Sequence, residues 1–438
     1  MKKVLTGLLI TACSLSAPLL AQESVPLALE EAIASAVKNN KEIIMASLDE
    51  QSEETKFRQT NAVFLPQVKV SYTAMSTNNP LNAFGFKLQQ ESITPSDFNP
   101  EVLNNPSTTE NFMTKAEWQQ PILNMDMLYI RKAANEQRAV YAFKSHRTKE
   151  YVVFEVRKAY AQLQLAWQAK NVTEEAVQAI NAIYTSTNNR FEKGFLQKSD
   201  VLNVQVQVAS AENQLAMAKS NVQNASDYLS LLMGTKTGAV YHVDLISGTT
   251  ASDSFSTEVP STRADFQAMQ SAVVAQDMMI KSGKMSYLPK LNGFAEYLIN
   301  DKEAFGFGSN SYMAGAQLSW TLFNGMATQN KVAQQRIDRD KTVEQLRYQK
   351  EQSQLELNKT LRQREDALLS LKQYETAVNQ ASEALRILQN RYQQGLVTTN
   401  EMLQSQTVVS QQKFNYAQTL FDLNTTQAYL YFLTSTEK

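Results

Sequence analysis

The sequence predicts a mainly α-helical protein that consists of two copies of one structural repeat and also contains four β-strands. Residues 122–193 and residues 326–394 contain no glycine or proline, so each stretch predicts one long helix or nearly so. The segments around Gly194 and Gly395 match at a constant offset of 201 residues, which indicates an internal duplication. Outside the predicted helices, four short segments alternate between apolar and polar residues, as β-strands do.

The composition limits the partners and cofactors that we expect. The chain has 438 residues, a formal net charge of -1 and 19% charged residues, so its charge does not indicate a nucleic-acid partner. Its single cysteine, Cys13, cannot form an internal disulfide. The two histidines, His146 and His242, stand alone and do not predict a metal site. We therefore expect no cofactor and no bound metal.

The N-terminus resembles a secretory signal peptide. A basic start is followed by an apolar run at residues 4–10 and then by small residues. We expect residues 1–21 to form the signal peptide, with cleavage after Ala21. A second interpretation stays open, because residues 10–13 resemble a bacterial lipobox in which Cys13 would be lipidated. Beyond this segment, no run of about 18 apolar residues predicts a transmembrane helix.

The two long helices should pack against partners, because each has a periodic apolar face. In the first helix the apolar positions recur at steps of four and three, and in the second at steps of seven, as in coiled coils. The residues concerned are Val152, Val156, Ala159, Leu163 and Ala166 in the first helix, and Leu371, Val378 and Leu385 in the second.

The first half of the chain begins with a predicted helix and a β-hairpin. Residues 27–65 contain no glycine or proline and predict a helix that Pro66 ends. Residues 68–74 and 112–119 alternate between apolar and polar side chains and predict two strands. The intervening residues 75–111 contain four prolines among Asn, Ser and Thr residues, so we expect a long irregular loop there.

The first structural repeat is predicted to span residues 22–234, with its β-hairpin at residues 66–121. The first long helix should end at Gly194, which is a candidate for a left-handed turn residue. Ser199 or Asp200 is the expected N-cap of the next helix.

The second half repeats the first after a linker at residues 235–260 that is rich in Ser, Thr and Gly. We expect the second repeat at residues 261–438. It contains a short helix at residues 263–281, a β-hairpin at residues 289–322, the second long helix, a turn at Gly395 and a last helix.

Each predicted strand has one apolar and one polar face, and aromatic residues lie near the strand ends. This pattern is typical of outer-membrane β-barrels, in which one face contacts lipid and aromatic residues lie at the membrane interfaces. Four strands are too few to close a barrel, so the strands must be pooled across subunits. The predicted lipid-facing residues are Val70, Tyr72, Trp118, Tyr297, Tyr312 and Trp320.

The paired turns resemble those of the TolC family of outer membrane efflux proteins. Each has Arg-aromatic-x-x-Gly ahead of an acidic residue and a leucine, and Leu-Phe-Asn-Gly at residues 322–325 adds to the resemblance. The family implies a homotrimer in the outer membrane of a Gram-negative bacterium, with a twelve-stranded β-barrel continued by a long α-helical barrel across the periplasm. It also implies an exit duct for drugs, metals or secreted proteins, working with a periplasmic adaptor and an inner-membrane pump in tripartite efflux or type I secretion.

The resemblance also implies roles for individual residues. In the family the helix turns contact the adaptor, which here implies Arg190, Phe191, Gly194, Phe195, Arg391, Tyr392, Gly395 and Leu396. Acids just after the second turn narrow the pore, which implies Glu401, with Asp200 as its counterpart in the first half. Gln404 stands where a second acid would add charge, and Val397 stands where an arginine could bind Asp200. Both acids also fit a plain helix-start role, favoured by the helix dipole.

Two other classes of protein fit the sequence less well than a duct does. An enzyme is not supported, because the sequence has no nucleophile motif, no Gly-rich phosphate loop and no cluster of metal ligands. A periplasmic or surface coiled-coil scaffold or adhesin without a pore would account for the long helices, but not for the alternating strands with aromatic ends.

Overall fold

A computed structural model of the chain describes residues 25–245 and 255–435. The predicted signal peptide and Cys13 lie outside these residues. In the first half of the chain the elements are β1 Val25–Pro26, α1 Leu29–Asn39, α2 Lys41–Gln59, β2 Gln67–Thr77, α3 Pro80–Gln89, α4 Pro100–Asn104, β3 Thr109–Leu123, α5 Met125–Glu192, α6 Lys198–Met233 and β4 Tyr241–His242.

The second half repeats this order from helix to hairpin to long helix pair. Its elements are α7 Ala264–Met285, β5 Lys290–Asp301, β6 Ser309–Ser319, α8 Ala327–Gln393 and α9 Thr399–Thr434. The predicted fold class, mainly helical with two repeats of helix, two strands and a long helix pair, is confirmed. The two long helices, α5 and α8, begin and end within three residues of the predicted bounds.

The single helix predicted at residues 27–65 is wrong, because the chain breaks it at Asn40. This residue has an extended backbone with ψ 134°, and it separates α1 from α2. The Asn40 side chain donates to the carbonyl of Leu232 at 2.8 Å, and Ser35 donates to the carbonyl of Met233 at 3.3 Å. The end of α6 thus accepts hydrogen bonds from residues at and before the break, and these tertiary contacts override local helix propensity.

The irregular loop predicted at residues 75–111 is also wrong in part, because this segment contains α3, α4 and a turn of 3₁₀-helix. Pro80 and Pro100 stand at the first positions of α3 and α4. Proline fits there, since the first helical residues need no N–H partner within the helix. Asn79 and Asn99 precede them, and their side chains accept from the backbone N–H groups of Asn82 and Glu101. The prolines that suggested a loop therefore begin helices.

The described chain forms two compact units, each with its own contacts. One unit comprises the described parts of residues 1–41, 150–255 and 358–433, and the other comprises those of residues 42–149, 256–357 and 434–438. Within the parts of the chain that the structure describes, no helix is both long and apolar enough to cross a membrane.

The first unit is a bundle of long helices whose core includes the predicted apolar face of α5. Val152, Val156 and Leu163 are completely buried or nearly so, as the spacing predicts. The short strands β1 and β4 pair in parallel in this unit. The predicted linker therefore contains β4, and the indole of Trp167 donates to the carbonyl of Tyr241 at 2.9 Å.

The second unit contains an antiparallel sheet with the strand order β2-β3-β5-β6. The register places Val70 opposite Ala116, Ala116 opposite Tyr297, and Tyr297 opposite Tyr312. Directly opposed residues lie on the same face of a sheet, so the predicted apolar face is continuous across all four strands. The two repeats thus contribute one hairpin each to a single sheet.

The helical insert between β2 and β3 is held by an ion pair and by contacts with the strand ends. Lys87 on α3 contacts Asp97 at 2.7 Å, and the other oxygen of Asp97 accepts from the N–H and the hydroxyl of Thr94, each at 2.7 Å. Gln90 donates to the carbonyl of Glu110 at 2.7 Å. These contacts give residues 80–104 a defined conformation.

The insert should resist mild acid and loosen only near pH 2. The bonds from Lys87 and Thr94 lower the pKa of Asp97 from its ordinary value of 3.8 to about 2. Because the folded pKa is lowered, the stabilisation is present above pH 3.8 and is lost as the pH falls through about 2. Hydrogen–deuterium exchange of residues 80–104 measures this. We expect Asp97→Asn to exchange faster than the wild type above about pH 2, where the wild-type carboxylate is ionised, whereas Glu101→Gln, at an exposed acid in α4, should behave as the wild type. Equal exchange in the two variants would contradict the role of Asp97.

Candidate functional site

The turn between α5 and α6 is built by a C-cap that requires glycine. Gly194 has φ +79°, a conformation that L side chains rarely adopt. Its N–H donates to the carbonyl of Phe191 at 2.8 Å, and the N–H of Phe195 donates to the carbonyl of Arg190 at 2.9 Å. These two bonds define a Schellman motif, which ends the helix and satisfies its last carbonyls.

The turn between α8 and α9 has the same construction. Gly395 has φ +79°, its N–H donates to the carbonyl of Tyr392 at 3.0 Å, and the N–H of Leu396 donates to the carbonyl of Arg391 at 3.0 Å. No other residue lies within 4 Å of the Cβ position at either glycine, so backbone conformation requires glycine here and close packing does not. The predicted left-handed turn at Gly194 and its repeat at Gly395 are both present.

Each turn is followed by a helix whose third residue is the predicted acid. The N-cap of α6 is Gln197, so the prediction of Ser199 or Asp200 is wrong by two or three residues. Asp200 instead reaches back, and its carboxylate accepts from the N–H of Gln197 at 3.1 Å. A carboxylate in this position of a capping box satisfies an N–H group that the helix leaves without a partner.

The acid at the start of α9 forms a more complete capping box. Glu401 accepts from both the N–H and the hydroxyl of Thr398, each at 2.8 Å, and the Thr398 hydroxyl accepts from the N–H of Glu401 at 3.3 Å. The hydrogen bonds from the Thr398 backbone and side chain lower the pKa of Glu401. Glu401 is exposed, as is Gln404 on the next turn of α9. The helix-start role of Glu401 is thus present in the structure, and it leaves a charged carboxylate at the surface.

The two turns are in contact, because Arg190 of the first turn binds the C-terminal end of α8. The guanidinium of Arg190 lies 4.4 Å from the ring centroid of Tyr392. It donates to the carbonyl of Tyr392 and, at 3.2 Å, to that of Gln393. The Tyr392 hydroxyl is within 3.0 Å of the Thr187 hydroxyl and 3.2 Å of that of Thr399. We call these contacts the Arg190 clasp.

The clasp makes the two turns unequal despite their matching backbones. Tyr392 is buried, whereas Phe191, which stands at the matching position in the first turn, is exposed. Arg190 is half-buried and Arg391 is exposed. The side chain of Tyr392 therefore belongs to the core of the helix bundle, and the docking surface that the resemblance implies must consist of its neighbours.

Next to the turns, apolar residues from α5, α6, α8 and α9 form one cluster. Val397 is buried in it, so the position where the family resemblance would place an arginine instead completes an apolar core. The other buried members of the cluster are Ile183, Val204, Leu385, Tyr392, Met402 and Val409.

Two large apolar side chains project from the turns at matching positions. Phe195 is 77% exposed and Leu396 is 63% exposed, and each follows the glycine of its turn directly. The equivalent residue of a Schellman motif commonly packs against its own helix. Here both side chains remain available to a partner.

The four-stranded sheet carries the second group of predicted site residues. Val70 is 68% exposed and Tyr312 is 82% exposed on the apolar face, which Tyr72, Trp118 and Tyr297 share. Trp320 follows the last residue of β6, and its indole donates to the carbonyl of Tyr287 at 2.9 Å.

The opposite face of the sheet is polar and carries an ion-pair cluster. Lys115 on β3 contacts Glu117 at 2.5 Å and Glu296 on β5 at 2.9 Å. Glu117 and Glu296 are directly opposite each other, so the ammonium relieves a repulsion between like charges. Among the residues that the structure describes, no group of three or more His, Cys, Asp or Glu side chains could hold a metal ion.

Comparisons with known proteins bear on the function. The family described as outer membrane efflux protein matches residues 32–235 and 257–436. The fold is similar to that of CusC (TM-score 0.78, 15% identity, 93% of this chain and 92% of that chain). It is also similar to the CmeC outer membrane channel of Campylobacter jejuni (0.79, 14%, 93% and 85%) and to the outer membrane protein VceC of Vibrio cholerae (0.76, 17%, 94% and 97%). No curated protein matches the sequence.

Loss of the Arg190 clasp should loosen the end of α8. Hydrogen bonds from a charged donor are worth roughly 1.5–3 kcal/mol, less where water reaches them. We expect Arg190→Met to speed deuterium exchange at the amides of Gly395 and Leu396, whose acceptors lie at the helix end that Arg190 holds. Arg391→Met is the matched control, because Arg391 occupies the same position in the other turn but is exposed. Equal exchange in the two variants would show that the clasp does not hold the turn.

Proposed function

Because the chain belongs to the outer membrane efflux protein family, we propose that three copies of it assemble into one duct that a periplasmic adaptor connects to an inner-membrane pump. The protein is an exit duct for efflux across the outer membrane of a Gram-negative bacterium. We propose the trimer, the adaptor, the pump and the roles of individual residues. We also propose that the protein is not an enzyme.

The outer edges of the four-stranded sheet support the proposal of a trimer. Its outer strands, β2 and β6, have no strand partner on their outer edges within the described chain. The four strands alternate in direction, so β6 of one copy and β2 of the next would also run antiparallel. A ring of copies therefore continues the sheet without a break, and three copies give twelve strands. A barrel of about this size leaves an open lumen.

The exposed faces support a duct over a coiled-coil scaffold without a pore. The apolar face, with Val70 and Tyr312 strongly exposed, has the chemistry of a lipid contact. The polar face, with Lys115, Glu117 and Glu296, has the chemistry of a water-filled lumen. A scaffold would use the long helices but would leave this two-faced sheet without a role.

We infer that the adaptor docks on the exposed parts of the two turns. Phe195 and Leu396 supply the apolar contacts, and Phe191, Arg391 and the two glycines supply the surrounding surface. Arg190 and Tyr392 would support this docking surface indirectly, because their contacts fix the geometry of the second turn. Two exposed apolar side chains at matching positions suit a partner that binds both turns in the same way.

The variant Phe195→Ser/Leu396→Ser should abolish export while leaving the amount of protein in the outer membrane unchanged. Burial of one such side chain stabilises a complex by roughly 1.5–3 kcal/mol, so losing two should weaken the adaptor complex at least tenfold. Export by cells and co-purification of the adaptor are the measurements. Leu81→Ser, at an exposed apolar residue of α3, is the control and should export normally. Normal export by the double variant would contradict the docking site.

We propose that the first turns of α6 and α9, which carry Asp200 and Glu401, also narrow the periplasmic mouth of the duct. Three copies of Glu401 near one axis would form an acidic ring, to which Asp200 adds charge and Gln404 adds polar side chains. The capping box fixes the position of each Glu401 carboxylate and keeps it ionised. Such a ring focuses a negative potential and favours cations over anions.

Glu401→Gln should reduce cation selectivity and the block by trivalent cations in planar bilayers. Glutamine serves as well as glutamate at this position of a capping box, so the variant removes the charge and keeps the helix start. Glu383→Gln, at an exposed acid that contacts Arg386, is the control and should leave both properties unchanged. If selectivity and block survive in Glu401→Gln, then Glu401 is only a cap and the constriction lies elsewhere.

A further inference from the structure

A basic groove of about 530 Å³ lies between α7 and α8 in the second unit. It is close to the sheet, because α7 ends a few residues before β5 and α8 begins a few residues after β6. Apolar side chains of α7 form part of its wall. The charged residues that line it are Lys281, Lys284, Arg336, Arg339, Asp277 and Asp340.

Three of the four basic residues in this groove have no carboxylate partner. Both acids bind Arg339, Asp277 at 3.0 Å and Asp340 at 2.8 Å. The other three cations, Lys281, Lys284 and Arg336, are exposed and form no ion pair within the described residues. Like charges that share one groove repel each other, and a bound anion relieves that repulsion.

One ion pair of the groove is repeated in the first half of the chain. The Leu-Pro pairs that precede β2 and β5 match at an offset of 223 residues, and at this offset Glu54 matches Asp277. Arg138 matches Arg339 at the offset of 201 residues that relates the two turns. Glu54 contacts Arg138 at 3.1 Å, as Asp277 contacts Arg339 at 3.0 Å. The two places are therefore structural equivalents, and their charges can be compared.

The excess of positive charge belongs to the second half alone. In the first half, Arg58 also binds Glu54, at 3.0 Å, whereas Lys281 at the matching position is left without a carboxylate. The other two unpaired cations of the groove match neutral residues of the first half, Asn61 and Asn135. The repeated ion pair accounts for Arg339, but it does not account for the three added charges.

Exposed apolar side chains lie between the groove and the sheet. Tyr287 and Leu288 follow α7, Leu322 and Phe323 precede α8, and all four are exposed. The indole of Trp320 donates to the carbonyl of Tyr287, which joins the two segments. An apolar layer followed by unpaired cations matches one leaflet of an anionic membrane, in which acyl chains are followed by phosphate headgroups.

We propose that the groove binds the anionic headgroup of a phospholipid, such as phosphatidylglycerol, from the periplasmic leaflet of the outer membrane. Lys281, Lys284 and Arg336 supply the positive charge, and the acyl chains lie on the exposed apolar side chains next to the sheet. The inference rests on the proposed contact of the sheet with lipid, which brings the groove to the membrane surface. Basic clusters at such a surface select anionic over zwitterionic lipids.

The test uses the full chain purified in a non-ionic detergent, with bound lipids counted by native mass spectrometry. We expect dioleoylphosphatidylglycerol to bind roughly tenfold more tightly, or better, than dioleoylphosphatidylcholine, which has the same chains but no net charge. Glycerol 3-phosphate, which has the phosphate without the chains, should not displace the bound lipid. Equal affinity for the two lipids, or displacement by glycerol 3-phosphate, would overturn the proposal whether or not the protein exports cargo in cells.

Variants place the headgroup in the groove. Lys281→Gln/Lys284→Gln/Arg336→Gln should bind phosphatidylglycerol no better than phosphatidylcholine, because the three unpaired charges are gone. Lys281→Arg/Lys284→Arg/Arg336→Lys keeps the charges and should retain the wild-type preference. Unchanged preference in the glutamine variant would overturn the site, and loss of its binding to purified peptidoglycan instead would assign the groove to that anionic polymer.

A matched control separates the groove from the net charge of the chain. Lys359→Gln/Arg362→Gln/Lys372→Gln removes three charges from exposed residues of α8 that do not line the groove. This variant should keep the wild-type preference for phosphatidylglycerol. A loss equal to that of the groove variant would show that net charge alone attracts the lipid, and it would also overturn the proposal.

Discussion

The backbone groups on the outer edges of β2 and β6 need hydrogen-bond partners, and the rest of the architecture depends on this requirement. In hydrocarbon an unpaired N–H or C=O group costs several kcal/mol, so an open sheet cannot expose its apolar face to lipid. Because the sheet is antiparallel with an even number of strands, copies of the chain can satisfy each other's edges in a closed ring. In our account the ring fixes the number of subunits, and the long helices that continue from β3 and β6 must then follow the same symmetry.

Duplication gives this chain two turns with equal backbones and unequal surroundings. Gly194 and Gly395 have the same φ and the same pair of hydrogen bonds, because local sequence determines a Schellman motif. The Arg190 clasp exists at only one of them, because Arg190 reaches the carbonyls at the end of α8, whereas Arg391 at the matching position is exposed. The acids that follow the turns, Asp200 and Glu401, both act as caps, and in our account they also set the charge of the mouth.

Much of the fold could be predicted from the sequence because its signals are local. Long stretches without glycine or proline predicted α5 and α8, and alternation predicted the four strands and their apolar face. The break at Asn40 could not be predicted, because its cause is the end of α6, almost 200 residues away. The insert between β2 and β3 was missed because proline begins helices as well as breaking them, and the periodicity of such short helices is weak. Arg190 and Tyr392 were both singled out as site residues, yet their mutual contact needed the three-dimensional arrangement.

The central claim is that the apolar face of the sheet contacts lipid while its polar face lines the lumen, and one pair of variants tests it most directly. Val70 and Ser71 are neighbours on β2 and point to opposite faces. An arginine on the lipid face costs roughly 2–4 kcal/mol near the middle of the membrane, whereas one in the lumen stays hydrated. The measurement is the yield of heat-sensitive trimer extracted from outer membranes. We expect Val70→Arg to lose most of the trimer and Ser71→Arg to keep it; equal yields from the two variants would contradict the account.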